Sequence, residues 1–332
     1  MDTDRATTRR ATLAAFAATG LVGARRAAAQ GQPTLDRLAR LNIGFPPGGS
    51  SDTVARIYAE RLRGVYAPQV VVENRPGAGG RLALETVKAA RPDGATLVQT
   101  PASMLTVYPH IYPRTLRYDA LADFAPVTPV CAFPFAMAVR ADHPAKTFAE
   151  FVAWAKRQGD AVPFASPAAG AVPHFLGVQM AKAAAIQLTH VPYRGGAPAV
   201  QALLGGEIPM VLVVAGEIAE FHRGGQARIL AVSSPERMPR LPDAPTFAEQ
   251  GQPDLTAEEW FGVLLPTGTP APLVEGLHRA IAAAATSDLQ DALARLEYRT
   301  AMMAPHDFAE RIRAERERWG PIVQESGFKP EE

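Results

Sequence analysis

Between residues 41 and 103 the chain passes three times from a short apolar strand, through a loop, into a helical pattern. No other feature limits the fold as much. The first strand, 41–45, runs through Pro46, Pro47, Gly48 and Gly49 into Ser50, Ser51 and Asp52, a cluster able to cap a helix. Val54, Ile57, Tyr58 and Leu62 then share one face of a helix over 51–63, which Gly64 stops. A second strand, 69–73, ends in a loop over 74–80 containing Gly77, Gly79 and Gly80. A helix follows through Leu84, Val87 and Ala90. The third strand, 96–99, leads into Thr100, Pro101, Ala102 and Ser103. This βαβαβ order with short loops predicts a parallel sheet with right-handed crossovers. The loops fall at the carboxyl ends of the strands, the edge where open α/β sheets bind ligands. A glycine loop feeding a helix also leaves N–H groups free at the positive end of the helix dipole, which suits an anion. The plainer alternative is that Pro-Pro-Gly-Gly makes only a sharp turn.

The later chain repeats the pattern. Residues 125–140 form a long extended stretch interrupted by Pro126, Pro129 and Pro134, with 136–139 reading as a strand. A helix through Phe148, Phe151, Val152 and Ala155 opens a second α/β unit. Its strands are expected at 162–165, 189–193, 210–214 and 228–232, with helices at 175–184 and 200–204. The stretch 235–254 is a proline-rich return linker, followed by a strand at 260–265 and helices at 272–284 and 306–326. The last helix, rich in Arg and Glu, reads as a solvated outer helix. The fold class is therefore α/β with two lobes, each a sheet flanked by helices, joined by two crossover hinge strands. One lobe takes 38–132 plus 256–332, and the other takes 133–255 with the return linker. Two lobes on two crossings describe a hinged binding protein that traps a ligand between them.

The formal net charge of +1 offers no electrostatic case for nucleic acid. A single cysteine, Cys131, excludes an internal disulfide and a cysteine-based zinc cluster. The first residues carry Arg5, Arg9 and Arg10, then an apolar run over 11–23 and Ala27-Ala28-Ala29. This is an export signal over 1–29 cut near Ala29/Gln30, and Arg9-Arg10 also fits a twin-arginine signal. No later apolar run reaches the ~18 residues of a membrane span. The periplasm is the expected compartment.

Motifs for catalysis and metals are missing from the sequence. It has no H-E-x-x-H, no G-x-S-x-G elbow, no Walker loop and no complete G-x-G-x-x-G. No metal, cofactor or catalytic residue is assigned. The competing reading, an exported hydrolase using Ser50 or His174, lacks the elbow that such chemistry needs.

Six motifs in order point to a family. They are 45–56 (Phe-Pro-Pro-Gly-Gly-Ser-Ser-Asp-Thr-Val-Ala-Arg), 72–80, 90–97, 190–199, 241–246 and 266–270. Together they resemble the tripartite tricarboxylate transporter receptors, the Bug solute-binding proteins. The resemblance implies a type II periplasmic-binding fold that captures a small organic carboxylate and hands it to membrane permease subunits or presents it to a sensor protein, working as a monomer. By position it implies ligand contacts from Phe45, Gly48, Gly49, Ser50, Ser51 and Asp52 in the first loop, Gly79 in the second, and Thr100 and Ser103 in the third. In the second lobe it implies Ser166, Gly170, Tyr193 and Gly195. Asp52, an acid at a helix N-terminus, fits a cap or water anchor better than an anion contact. Ala168, Ala171 and Pro209 replace residues that are polar or flexible in the family pattern. They make the second-lobe wall less polar, which weighs against a strongly polar amino-acid ligand and favours an aromatic or aliphatic monocarboxylate.

Overall fold

The computed structural model describes residues 34–329. The export segment 1–29 lies outside the described residues. Strand β1 (Ala39–Ile43) buries Ala39, Leu41 and Ile43 and exposes Arg40. It pairs in parallel with β2 (Val70–Asn74) and β3 (Thr96–Pro101). Helix α1 (Ser50–Leu62) follows β1, α2 (Arg81–Lys88) follows β2, and the short α3 (Ala102–Thr106) and α4 (Tyr108–Ile111) follow β3. The helical face read from the sequence is the one that packs: Val54, Tyr58 and Leu62 are buried, and the Tyr58 hydroxyl donates to the Val130 carbonyl at 2.7 Å. The cap differs from expectation. Gly49 is the N-cap and no side chain bonds there, because Ser50, Ser51 and Asp52 already lie within the first turn.

Strand β4 (Phe124–Arg140) runs unbroken through its prolines. The register shifts at Pro126/Thr128 and at Pro129/Cys131. A proline donates no ladder hydrogen bond, so the strand bulges around it instead of ending. Helix α5 (Phe148–Arg157), β5 (Val162–Ser166), α6 (Val172–Ala184), β6 (Leu188–Pro192), α7 (Gly196–Gly205), β7 (Met210–Val214), α8 (Ala215–Arg223) and β8 (Ala227–Val232) build the second unit. Strand β9 (Glu258–Pro266), α9 (Ala271–Ala284), α10 (Ser287–Ala294) and α11 (Pro305–Ser326) complete the chain. Sequence patterning does not anticipate α8 and α10.

Two sheets share β4. Its first part, Phe124 to Pro134, pairs antiparallel with β9, and β9 pairs with β3, giving the order β2-β1-β3-β9-β4. Its second part, Phe135 to Arg140, lies between β7 and β8, giving β6-β5-β7-β4-β8. Ser233, fully buried, stitches the crossing. Its N–H donates to the Phe135 carbonyl and its hydroxyl accepts from the Phe135 N–H, both at 2.8 Å. Its carbonyl accepts from the Ala257 N–H at 2.9 Å, and its hydroxyl donates back to the Ala257 carbonyl.

Helix α11 is more than a solvated outer helix. It buries Phe308, Ile312, Trp319 and Val323. Its far end reaches α6, where Trp319 meets Phe175 and Lys182 pairs with Glu325 at 2.8 Å. Charge alone marks the outer face of such a helix, while the apolar stripe decides where it packs.

Candidate functional site

The three loops of the first lobe converge. A Cβ on Gly44 would lie 2.4 Å from the Gly80 carbonyl oxygen, so only glycine lets the first and second loops touch there. The Phe45 carbonyl accepts from Asn74 Nδ2 at 3.0 Å, and Gln99 Nε2 donates to the Ser51 carbonyl at 2.8 Å. The Tyr108 hydroxyl donates to the Gly79 carbonyl at 3.4 Å. Phe45, Gly48, Gly49, Ser50 and Gly79 lie at the accessible rim of these loops, half-buried or exposed. Thr100 is buried, and its hydroxyl is enclosed without a partner.

Asp52 faces away from that rim. Its carboxylate accepts from the Gly48 N–H at 2.9 Å, from Arg56 twice at 2.9 Å and from Asn74 at 3.0 Å. The Arg56 hydrogen bond first, then the Gly48 and Asn74 donors, outweigh burial and hold its carboxyl down at about 2. Asp52 therefore shapes the loop from behind, and Ser51, tied to Gln99, does the same. The Ser103 N–H donates to the buried Glu259 carboxylate at 3.0 Å, so the third loop's helix start is filled from within. Burial pushes the Glu259 carboxyl up, against the Ser103 bonds.

In the second lobe, the Ser166 carbonyl accepts from the Tyr193 N–H and the Pro167 carbonyl accepts from the Gly195 N–H, both at 2.9 Å. These bonds bring Tyr193 and Gly195 to the start of α7. Ser166 and Gly170 are not left open. The Ser166 hydroxyl is held between the Ala168 carbonyl and His190 Nε2, at 3.1 and 2.7 Å. Gly170 sits under Ile111 of the first lobe and Phe328. His174 and His190 stack at 3.9 Å. Burial pushes His174 down to about 4, and burial together with His174 pushes His190 down to about 3, so both are neutral at pH 7. His174 accepts from the Gly170 N–H, while Ser50 is bonded elsewhere, so the two residues of the hydrolase reading serve separate structural contacts.

Across the cleft, the Ser50 hydroxyl at the start of α1 donates to Glu217 Oε1 at 3.3 Å. Glu217 belongs to the first turn of α8 in the other lobe. Its Oε2 is fully enclosed and has no hydrogen-bond partner, although the residue as a whole is only half-buried. A Cβ on Gly196, the first residue of α7, would lie 1.7 Å from that oxygen. One carboxyl thus lies between the start of α1 and the start of α7. Burial pushes it up to about 7, despite the Ser50 hydroxyl and the nearby Val214 backbone. Tyr298 lies beside Ser50 and Glu217. Sequence reasoning missed Glu217, Glu259 and Tyr298. The rule that ligands gather at strand ends would have found Glu217, three residues beyond the last residue of β7.

A separate cavity lies elsewhere. It is about 300 Å³, between α6 and α11, lined by Val178, Gln179, Lys182, Asp254, Ile322 and Glu325. None of the converging loops reaches it, so the interlobe cleft is the better site. Among the described residues no cluster of metal-ligating side chains occurs, and no helix is long and apolar enough to cross a membrane.

The family model described as tripartite tricarboxylate transporter family receptor matches residues 54–328. The chain belongs to this family. A Pseudomonas sp. (strain P51) relative, a UPF0065 protein in the tcbD-tcbE intergenic region, is 35% identical over 285 residues, covering 85% of this chain and 84% of its own. The solved structure of Rhodopseudomonas palustris MatC with bound malate is 30% identical, with TM-score 0.76, over 86% of this chain and 99% of that one. R. palustris Rpa4515 with adipate is 28% identical, with TM-score 0.82, over 89% and 99%. As a tripartite tricarboxylate transporter receptor, the chain is a solute-binding protein for small carboxylates and not an enzyme, and receptors of this family are periplasmic.

Proposed function

We propose that the ligand carboxylate is received at the start of α1, by the N–H groups of 49–51 and the Ser50 hydroxyl, directly or through water, the Gly48 N–H being taken by Asp52. Phe45, Gly49, Gly79 and Thr100 complete the first-lobe wall, and Tyr193 and Gly195 the second. Ser51, Asp52, Ser103, Ser166 and Gly170 hold the loops. The observation that carries this reading is the Ser50–Glu217 bond: a carboxylate already accepts from this hydroxyl across the cleft. The lobes are 38–132 with 256–332, and 133–255, and they close over the ligand. The mature protein starts near Gln30, works as a monomer in the periplasm and docks on membrane permease subunits. The adipate and malate held by family members set the size of ligand to look for.

The test uses the carboxylate released from natively purified protein, identified by mass spectrometry, and its neutral amide. A hydrogen bond to a charged group contributes about 1.5–3 kcal/mol, so Ser50→Ala weakens the acid by roughly 10- to 150-fold. The amide binds wild type poorly and loses little more in the variant. Equal binding of acid and amide to wild type would show that the start of α1 is not an anion site.

A further inference from the structure

Glu217 presents a problem for a receptor that binds carboxylates. It places an acid on the second-lobe wall, which the Ala168, Ala171 and Pro209 substitutions had suggested was less polar. Its carboxyl faces the hydroxyl assigned to the ligand, at 3.3 Å. It forms no ion pair among the described residues, and Oε2 has no donor. The nearby cations are engaged elsewhere. Arg56 is closed on Asp52, while Arg223 and Arg240 are both paired with Glu297. Arg194, in the loop before α7, is exposed. A plain carboxylate bound at the start of α1 would face a second carboxylate across the cleft with no cation between them. Two like charges at that range coexist only if one takes a proton, and Glu217, already pushed up to about 7, would have to do so at the expense of binding as pH rises. A ligand that brings its own cation meets no such obstacle, and it also supplies the donor that Oε2 lacks.

We infer that Glu217 is the specificity-determining residue of this cleft and selects a zwitterion: the ligand's carboxylate rests on the first-lobe loop, and its protonated amine pairs with Glu217 on the second lobe. The inference rests on the receptor reading above and narrows it from small carboxylates to amino-carboxylates. Gly196 is part of the device, since any side chain there would occupy the place of Oε2.

The experiment combines ligand identification with matched pairs. Ligand released from natively purified full-length protein is identified by mass spectrometry and is expected to carry a basic nitrogen. Protein stripped of ligand by unfolding and refolding is then titrated calorimetrically with that ligand and with its des-amino analogue. L-glutamate with glutarate and L-phenylalanine with 3-phenylpropionate are further pairs. Wild type prefers the amino member by about 10- to 150-fold, the scale of one charge-assisted hydrogen bond. Glu217→Gln removes most of that preference by weakening the amino member and leaving or improving the des-amino one. Glu217→Asp, which keeps the charge, retains part of it and serves as the second variant if Gln folds poorly. A released acid without a basic nitrogen, or a preference unchanged by either variant, overturns the inference while the receptor reading stands. Absence of any released organic acid, together with no binding by either member of any pair, sinks both.

Discussion

The two rims of the cleft each place an acid beside a helix start, and the two acids have opposite fates. On the first lobe, Asp52 is surrounded by four donor contacts and held down at about 2. On the second, Glu217 has one hydroxyl contact and one bare oxygen and is pushed up to about 7. Desolvation dominates at Glu217, whereas charged and backbone donors outweigh it at Asp52. An acid with all its lone pairs satisfied is architecture, and it fixes the loop that carries it. An acid with an unmet oxygen facing a cleft is available to whatever enters. On the reading proposed above, the first lobe is the anion cradle and the second lobe supplies the group that discriminates.

The comparison is broken most severely at Gly196. Its backbone is ordinary, so Gly196→Ala is costly only through its collision with Glu217 Oε2 at 1.7 Å. Forcing that carboxyl out of its enclosed place costs up to about 3 kcal/mol in stability or ligand affinity. Gly196→Ala combined with Glu217→Ala should recover most of the loss in a double-mutant cycle read by thermal denaturation and calorimetry. Additive losses would mean that the two residues do not share one site.

Asp52 is the next largest. Asp52→Asn leaves Arg56 and the Gly48 N–H short of their charged acceptor and lowers stability by about 2–3 kcal/mol. The Asp52 contribution is fully present above the ordinary aspartate value of 3.8 and is lost as pH falls through about 2. Denaturant titrations at pH 7 and at the acid end should therefore find the variant's deficit shrinking with acidification. A deficit that is the same at both would remove the carboxylate network as its cause.

Glu217 gives the smallest effect, with the opposite sign. Its folded-state value lies above the ordinary 4.5, so its contribution is intact below that pH and is lost as pH rises through about 7. Ligand-free Glu217→Gln should then be more stable than wild type at pH 8, by about 3 kcal/mol at most and less as water enters the open cleft, and nearly equal at pH 4.5. Melting curves at the two pH values decide it. A variant that is less stable at pH 8 would show that the carboxylate has a partner.

The first lobe was legible because its loops are punctuated. Pro46, Pro47, Gly48 and Gly49, and then Gly77, Gly79 and Gly80, mark strand ends that β-branched and apolar runs announce. The fold class followed from that punctuation, and the family from the motifs that contain it. The second wall was not legible for a local reason. Strand β7 passes into α8 with Val214 as the N-cap, no proline and no capping side chain, and only the lone Gly216 inside the first turn, so neither the helix nor Glu217 at its start stood out. Glu259 was hidden inside a strand, and its role depends on a contact with Ser103, 156 positions earlier in the chain. In β4 the prolines misled, because they lie where the strand forms the edge of its sheet, pairing with β9 on one side, and there a proline bends the strand without ending it.

The position of β9 orders the assembly of the molecule. The second sheet draws on β4 to β8, a continuous run that is complete by Val232. The first sheet has β9 between β3 and β4, so its middle is missing until residues 258–266 have been synthesised. The anion cradle, although made of the earliest strands, cannot close its sheet until some of the last residues arrive, and that long-range pairing carries the larger loop-closure cost. The second sheet can therefore pair within one contiguous segment, whereas the proposed carboxylate cradle waits for the long-range return of β9.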